Sequence, residues 1–277
     1  MVAKSLSTVA DRLILVGCGN MGYALLSGWL GSKARDPKKV HVVEPVVGLR
    51  ERAARLGTNV HETPESLPDQ ADLIVFALKP HAIRAEAPAY RRFSEQAVFV
   101  SIAAGMTIGE LGALLGKARL IRAMPNTPTA IGKGSTIVFP GNSIQELELN
   151  TVTSLFAVGG PVHKVDSEVL LDAATAISGS GPAYIFYLME CLTTAACELG
   201  LPRELAMKLV KETVYGAGAL ALHTEDEPAQ LRRQVTSPKG TTEAALSLLT
   251  ARDEFLSLIR RATKAAFDRS KCLSVNA

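Results

Sequence analysis

The stretch from Leu13 to Gly22 constrains the fold of this chain more than any other. An apolar run of strand length is followed by the spacing Gly17-x-Gly19-x-x-Gly22 and then at once by a helical pattern. In this context Gly17 allows a tight turn, Gly19 lets a pyrophosphate approach the backbone, and Gly22 lets the helix pack close to the strand. Free N–H groups at the helix start favour an anion. The stretch therefore predicts a dinucleotide site, with a glycine-rich turn that binds nothing as the alternative.

Strand and helix patterns alternate through the first half of the chain, which predicts βαβ units around a doubly wound, parallel sheet and hence an α/β fold. Helices are predicted at Met21–Leu30 and Val47–Leu56. The predicted strands are Leu13–Val16, Val40–Val43, a short one at Val60, Asp72–Ala77, Ala97–Ile102, Arg119–Ala123, and one or two within Gly134–Phe139.

From about Ser167 onward the strand patterns fade and apolar, alanine-rich helices follow, so we predict a second, all-α domain over residues 166–277 after a dinucleotide-binding domain over 1–165. One helix is predicted from the Ser178–Pro182 stretch to Gly200 and another from Pro202 to His223, followed by a short helical piece after Pro228 and two more helical stretches. These helices are apolar on more than one face. That pattern predicts dimerisation through the second domain.

Composition excludes several classes of function. The 30 basic and 27 acidic residues are interspersed and aromatic residues make up 5%, so no nucleic-acid surface is expected. Arg50-Glu51-Arg52 and Arg91-Arg92 are interpreted as solvated helix faces. No apolar run reaches the ~18 residues of a membrane span, and the polar first dozen residues do not resemble a signal peptide. These patterns are typical of a cytoplasmic enzyme.

Cysteine and histidine spacing argues against metal and disulfide chemistry. The four cysteines form no Cys-x-x-Cys pair, which favours a reducing compartment, and Cys191 and Cys197 lie in a helical run where thiols are usually buried. The five histidines are scattered without ligand spacing, so no metal site is predicted. Gly-x-Ser-x-Gly is absent, which disfavours covalent hydrolysis.

Polar residues that follow the predicted strands are candidates for cofactor binding, since open α/β sheets bind ligands at this edge. Glu44 ends the second strand, 22 residues after Gly22, where a carboxylate would bind the ribose hydroxyls and favour NADH over NADPH. Lys79, in the segment Ala77-Leu-Lys-Pro80, could reach cofactor or substrate, or could simply be solvated. Asn126 could face the nicotinamide, or could only shape its loop.

Two further turns offer small residues and a helix start, namely Ser178-Gly-Ser-Gly-Pro182 and Thr236-Ser-Pro-Lys-Gly-Thr-Thr242. Either one alone is more typical of a helix cap than of a binding site. Together with a dinucleotide domain, two such anion-binding turns favour a substrate site.

Five motifs follow one another as they do in pyrroline-5-carboxylate reductases, and over nearly the whole chain this sequence resembles that family. They are Gly17-Cys-Gly-Asn-Met-Gly22, Ala77-Leu-Lys-Pro80, Met124-Pro-Asn-Thr-Pro128, Ser178-Gly-Ser-Gly-Pro-Ala-Tyr184 and Val235-Thr-Ser-Pro-Lys-Gly-Thr-Thr242. The first motif is shared with many dehydrogenases, whereas the last two together are specific to the family.

The resemblance implies a Rossmann domain and NAD(P)H-dependent reduction of the C=N bond of 1-pyrroline-5-carboxylate to L-proline, the last step of proline biosynthesis. It also implies a homodimer with intertwined helical domains, often within a decamer of five dimers, and an active site between the cofactor domain and the helical dimer. The implied cofactor-binding residues are Gly17, Gly19, Asn20, Met21, Gly22, Glu44, Ala77, Lys79, Pro80 and Asn126.

On the substrate side, the resemblance implies that the Thr242 hydroxyl contacts the ring nitrogen and is the catalytic group. Backbone N–H groups at Gly240 and Thr241 would bind the carboxylate. The substrate-binding residues are then Ser178, Gly179, Val235, Ser237, Gly240, Thr241 and Thr242. Many relatives carry glycine and alanine where this sequence has Lys239 and Thr241, a change that keeps the backbone donors.

Two other functions fit parts of the sequence. A 3-hydroxyacid dehydrogenase shares the glycine spacing and a helical second domain, but it needs a catalytic lysine, and neither Lys208 nor Lys211 lies in a matching motif. A non-catalytic dinucleotide sensor would keep the fold without the reaction.

Overall fold

The computed structural model describes residues 11–33 and 35–275, with side chains up to Leu273. Residues 1–10, on which the signal-peptide prediction largely depends, lie outside the described residues. The chain divides into two compact units, one of residues up to Ser180 together with those from Ala266 onward, and one of Gly181–Ala265.

The first unit is built on a sheet of eight strands in the order β3-β2-β1-β4-β5-β6-β7-β8. Only β6 and β7 pair antiparallel, and the other neighbours are parallel. The strands are β1 (Leu13–Val16), β2 (Val40–Val43), β3 (Asn59–His61), β4 (Leu73–Phe76), β5 (Val98–Ser101), β6 (Arg119–Met124), β7 (Thr136–Pro140) and β8 (Val162–Lys164). The predicted α/β, doubly wound fold is confirmed.

Helices cover both faces of this sheet, which is why its central strands are apolar at consecutive positions. One core contains Leu13, Leu15 and Trp29, and the other contains Ile14 and Phe76 on the opposite face. The helices are α1 (Asn20–Gly31), α2 (Val47–Ala54), α3 (Pro80–Glu86), α4 (Ile108–Leu115), α5 (Glu146–Phe156) and α6 (Glu168–Ala174).

A buried guanidinium connects β6 to the helices that follow. Arg122 is 1% exposed and pairs through Nη1 with Glu168 at 2.9 Å and through Nη2 with Asp172 at 3.4 Å. Glu168 also accepts the backbone N–H of Ile108, and Asp172 accepts the Ser270 hydroxyl. Removing Arg122 or Asp172, the two buried members, typically costs about 3–5 kcal/mol, because it leaves an uncompensated charge.

This ion pair explains why the compact units divide later than the predicted boundary between residues 165 and 166. The carboxylates of α6 are bound to the sheet, and a π-helical turn, Thr175–Gly179, continues from α6 to Ser180. Residues 166–180 therefore belong to the same compact unit as the sheet, although the sequence pattern had already become helical.

The second unit is entirely helical. Its helices are α7 (Gly181–Glu198), α8 (Arg203–His223), α9 (Pro228–Gln234), α10 (Thr241–Leu249) and the first part of α11 (Glu254–Val275). Large apolar side chains on them are exposed in the single chain, for example Tyr187 at 67% and Leu222 at 91%. Patches of this kind mark interaction surfaces.

Some side chains differ from expectation. Cys191 is exposed and Cys197 half-buried, because the face of α7 that carries them is not covered in the single chain. Arg52 was interpreted as part of a solvated helix face, but its guanidinium lies over the Tyr23 ring, 3.9 Å from the ring centre. In the described part of the chain, no helix combines the length and apolarity needed to cross a membrane.

Two histidines form a hydrogen-bonded pair at the sheet edge. Nδ1 of His41 on β2 and Nε2 of His61 on β3 are 2.9 Å apart. Burial lowers the pKa of both side chains below the ordinary value of 6.5, and the neighbouring imidazole lowers that of His41 further. Because the folded-state pKa values lie below those of the unfolded chain, the folded state binds protons less readily.

We therefore expect the pair to stabilise the fold fully above about pH 6.5 and to lose that stabilisation as the pH falls further. The change should be about 1 kcal/mol or less, since both rings are partly solvated. Urea unfolding at one fixed protein concentration, at about pH 7.5 and about pH 5.5, measures it. The double variant His41→Gln/His61→Gln should lose less stability on acidification than the wild type, and an equal loss would contradict the assignment.

Candidate active site

The glycine turn between β1 and α1 has the geometry that the motif predicts. Gly17 has φ +90°, and a Cβ there would lie 2.5 Å from a Leu78 methyl group. A Cβ on Gly22 would overlap the carbonyl oxygen of Gly17, so the helix and the strand approach as closely as backbones can. A Cβ on Gly19, in contrast, would meet no atom within 4 Å. The open space therefore lies above Gly19, where a pyrophosphate would fit.

The peptide groups of Cys18 are held by two side chains. Its N–H donates to Oε2 of Glu44 at 2.7 Å, and its carbonyl accepts from Nη2 of Arg52 at 2.8 Å. The thiol itself is fully buried, and that burial raises its pKa to about 11. Cys18 is consequently a neutral packing group, and its backbone fixes the turn.

Glu44 is 5% exposed and lies at the end of β2, as predicted. Besides the Cys18 N–H, its carboxylate accepts the N–H of Val46 at 3.0 Å. Each carboxylate oxygen has a further lone pair, so the group keeps capacity for a ribose hydroxyl. Its contact with a ribose stays a prediction.

A cleft of about 980 Å³ opens above the carboxyl ends of the strands. Its volume suits a large ligand, and its position at the point where strand order reverses is where open α/β sheets bind dinucleotides. The predicted cofactor residues that line it are Gly17, Gly19, Asn20, Met21, Glu44, Ala77, Lys79 and Pro80. The residues present thus fit a dinucleotide, with the N-terminus of α1 directed at its phosphates.

Sequence reasoning missed other parts of the lining. Ile102, Ala103 and Ala104 follow β5 and line the cleft, and so does Leu273 from the far end of the chain. For the first three residues, their position after a strand of the sheet could have indicated a place in the cleft. No local signal marks Leu273.

Lys79 and Asn126 occupy different settings. Lys79 is exposed and precedes the first residue of α3, Pro80, so its side chain is available to a ligand. The carboxamide of Asn126 donates to the carbonyl oxygen of Ser178 at 3.0 Å and accepts from the N–H of Ser135 at 2.9 Å. Asn126 thus shapes its loop, which was the alternative, and a contact with nicotinamide stays a prediction.

Ser178 and Gly179 belong to the first unit, not to the helical one. The Ser178 hydroxyl donates to the Ala174 carbonyl at 2.9 Å within the π-helical turn. A Cβ on Gly179 would lie 3.1 Å from the Met124 side chain, so this turn packs directly against the end of β6. Their contact with substrate is a prediction that this packing does not decide.

The turn before α10 carries the remaining predicted substrate residues, in the second unit. The helix begins after Gly240, and its first intrahelical bond is from Ala244 N–H to the Gly240 carbonyl. The backbone N–H groups of the preceding three helix residues have no acceptor within an α-helix and are available to an anion. Thr242 is half-buried beside them, while Ser237 and Val235 are exposed.

Lys239 has a backbone conformation that accounts for the glycine implied here by the family resemblance. Its φ is +57°, in the left-handed region that glycine adopts without strain. Its N–H donates to the Glu243 carboxylate at 2.6 Å, which closes the turn in front of α10. The substitution therefore leaves the turn formed, at a modest conformational cost of about 1 kcal/mol.

Metal chemistry has no visible centre here. Within residues 11–33 and 35–275, no three His, Cys, Asp or Glu side chains are grouped to hold an ion. What the arrangement offers is a dinucleotide cleft in one unit and an anion-binding helix start with a hydroxyl in the other.

The glycine geometry predicts opposite outcomes for two matched substitutions. In Gly19→Ala the new methyl group meets no protein atom, so the fold should lose about 1 kcal/mol or less, while dinucleotide affinity falls at least about tenfold. In Gly22→Ala the methyl group meets backbone, and the free energy of unfolding should fall by about 1–3 kcal/mol.

Urea unfolding and titration of the reduced dinucleotide, followed by nicotinamide fluorescence, measure the two quantities. If Gly19→Ala bound the dinucleotide as the wild type does, the pyrophosphate would not lie above Gly19.

Comparison with known proteins agrees with this geometry. Residues 168–273 match the family model for pyrroline-5-carboxylate reductase dimerisation, and residues 12–105 match the model for coenzyme F420-dependent NADP oxidoreductases. The chain is 37% identical over 264 residues to the pyrroline-5-carboxylate reductase of Pseudomonas aeruginosa, covering 94% of this chain and 95% of that protein.

Solved structures give the same result. The pyrroline-5-carboxylate reductase of Coxiella burnetii superposes with a TM-score of 0.89 at 34% identity, covering 96% of this chain and 99% of that one. The Plasmodium falciparum pyrroline carboxylate reductase, solved with NADP bound, gives a TM-score of 0.86 at 28% identity and covers 95% and 98%. With this similarity over 94–96% of its length, the chain belongs to the pyrroline-5-carboxylate reductase family.

Proposed function

We propose how the reaction of this family, NAD(P)H-dependent reduction of the C=N bond of 1-pyrroline-5-carboxylate to L-proline, is carried out by the residues of this chain. The cleft above β1 holds the dinucleotide, and the start of α10 holds the imine. When bound, the reduced nicotinamide supplies the hydride to the imine carbon. The protein contributes position, charge stabilisation and a proton donor.

The substrate carboxylate is bound by backbone at the start of α10. The N–H of Thr241 is one of the helix donors that no carbonyl can reach, and the dipole of a nine-residue helix adds a favourable field. Gly240 precedes it with an N–H that donates to the Ser237 carbonyl at 3.1 Å. The Thr241 N–H and its neighbours in the first turn are therefore the main carboxylate donors, with Gly240 shaping their approach.

The Thr242 hydroxyl is the catalytic group of this proposal. As hydride reaches the carbon of a neutral imine, electron density moves to the ring nitrogen, and the Thr242 O–H donates a hydrogen bond to it while solvent supplies the proton of the amine. An imine bound in its protonated form already carries that proton, and its N–H then donates to the Thr242 oxygen. Thr242 stands in the first turn of α10, so the same turn binds the carboxylate and reaches the nitrogen. That pairing of anion donors with a hydroxyl is the observation that carries the proposal.

On the cofactor side, Gly17, Gly19, Asn20 and Met21 hold the pyrophosphate, and Lys79 is an exposed cation among the cleft-lining residues. Glu44 lies where a carboxylate would accept ribose hydroxyls and repel a 2′-phosphate. We therefore propose a preference for NADH, although the Plasmodium falciparum relative was solved with NADP. Both cofactors suit the family.

The helical unit carries the oligomer. Residues 168–273 match a dimerisation family, and large apolar side chains of α7 and α8 are exposed in the single chain. We propose a homodimer as the basic unit, with a decamer of five dimers as the larger assembly. A cytoplasmic location, without nucleic-acid or membrane partners, completes the proposal.

The purified protein should oxidise NAD(P)H only when 1-pyrroline-5-carboxylate is present, faster with NADH than with NADPH at equal concentration. Absorbance of the reduced nicotinamide and detection of proline measure the reaction. A 3-hydroxy acid serves as the control substrate. Turnover of that acid without turnover of the imine would refute the proposed reaction. Faster use of NADPH would refute only the proposed role of Glu44 and would leave the reaction standing.

For Thr242→Ala we expect kcat to fall roughly 100-fold, because the donor to the ring nitrogen is lost, while the Kd for the dinucleotide changes little. Thr242→Ser keeps the hydroxyl and should stay within about tenfold of the wild type. Ser247→Ala, on the same helix, removes a hydroxyl that only donates to the Ala244 carbonyl and should have no effect. A wild-type kcat in Thr242→Ala would remove the assignment.

A further inference from the structure

We infer that Leu273, near the end of α11, forms a wall of the nicotinamide half of the cleft, and that Asp172 positions it there through Ser270. This inference rests on the proposed function, because it requires the dinucleotide to bind in this cleft. It assigns a role to Ser270 and Leu273, which lie far in sequence from every motif.

The strand order indicates which half of the cleft Leu273 lines. Glu44 at the end of β2 marks the adenosine side, since that is where ribose hydroxyls are bound in this fold. β4, β5 and β6 lie on the other side of β1. Leu273 shares the lining with Ala103 and Pro125, which follow β5 and β6. A dinucleotide that spans the switch point would therefore bring its nicotinamide to Leu273.

Leu273 makes a close contact with the sheet unit. Gly105, four residues after β5, has φ +77°, and a Cβ there would overlap the Cβ of Leu273. It would also lie 3.0 Å from the carbonyl carbon of Leu273. Only glycine allows the end of α11 to approach the backbone this closely, as expected of a built contact.

A buried hydrogen bond holds this end of the helix. The Ser270 hydroxyl donates to Oδ1 of Asp172 at 3.1 Å, and the two residues are 4% and 7% exposed. Asp172 is in turn paired with the guanidinium of Arg122. Ser270 and Leu273 are three residues apart and therefore share one face of α11. The bond thus fixes the rotation of α11 about its axis and its position along that axis, and so places the Leu273 side chain.

The chemistry of the wall suits a reduced nicotinamide. A dihydronicotinamide ring is uncharged and flat, and apolar side chains on its face exclude water from it and favour one ring orientation. Leu273 therefore contributes affinity to the nicotinamide half of the ligand only. ADP-ribose keeps both riboses and the pyrophosphate but lacks the nicotinamide ring, so its affinity should not depend on Leu273.

The experiment compares binding of two ligands to Leu273→Ala. Calorimetry is done with the preferred reduced dinucleotide and with the matching ADP-ribose, carrying the 2′-phosphate if NADPH is preferred. We expect the dinucleotide Kd to rise about tenfold and the ADP-ribose Kd to change less than about twofold. Leu273→Met, which keeps the volume, and Cys272→Ala, at an exposed neighbour, should bind both ligands as the wild type does.

The outcomes distinguish a failure of the proposed dinucleotide cleft from a failure of the role of Leu273. If the wild type did not bind ADP-ribose, the proposed cleft itself would be wrong. If it did, equal weakening of both ligands in Leu273→Ala, or no weakening of either, would overturn the role of Leu273. A urea midpoint near that of the wild type confirms that the variant is folded.

The positioning role of Ser270 has its own readout. Ser270→Ala should weaken the dinucleotide several-fold and leave ADP-ribose binding unchanged, while Ser270→Thr, which keeps the hydroxyl, should restore affinity. The double variant Ser270→Ala/Leu273→Ala should bind no more weakly than Leu273→Ala, because both changes remove one contact. Fully additive losses would show that Ser270 does not act through Leu273.

Discussion

The cleft depends on how the backbone of Cys18 is held. Its N–H is bonded to the Glu44 carboxylate and its carbonyl to the Arg52 guanidinium, so the turn between β1 and α1 cannot rotate. Because the Gly17 carbonyl lies against Gly22, the helix start is fixed relative to the strand as well. The free N–H groups of α1 are thereby aimed before any ligand arrives, which lowers the cost of binding.

The other proposed ligand site uses the same physical means. A left-handed residue, Lys239, and a carboxylate, Glu243, close the turn before α10, so that backbone N–H groups are left for an anion. Backbone donors at helix starts recognise charge without adding a cation, and a single hydroxyl, that of Thr242, can then supply the chemistry. In the proposed site, selectivity for the small imine would depend on the positions of these groups more than on the number of polar side chains.

Periodicity and turn residues predicted the regular elements well where each element is long or apolar. The first two helices, the strands up to β7 and the helices of the second half all have such signals. The three-residue strand β8 has no such signal and was not predicted. The helices α3, α4 and α5 were not predicted either. Arg122 pairs with Glu168, which lies 46 positions later in the chain, and with Asp172, which lies 50 positions later. Charged residues in sequence are interpreted as solvated, so such a pair is recognisable only once the sheet is folded.

By itself the sequence determined the fold class, the dinucleotide turn and, through two specific motifs in its second half, the family. These depend on local spacing, which glycine, proline and apolar periodicity encode directly. Only the tertiary structure shows that the Asn126 carboxamide bonds to Ser178 and Ser135, that Ser178 packs with the sheet, and that Leu273 lines the cleft. Each of these depends on which distant backbone a side chain meets, and that is set by packing and not by neighbours in the chain.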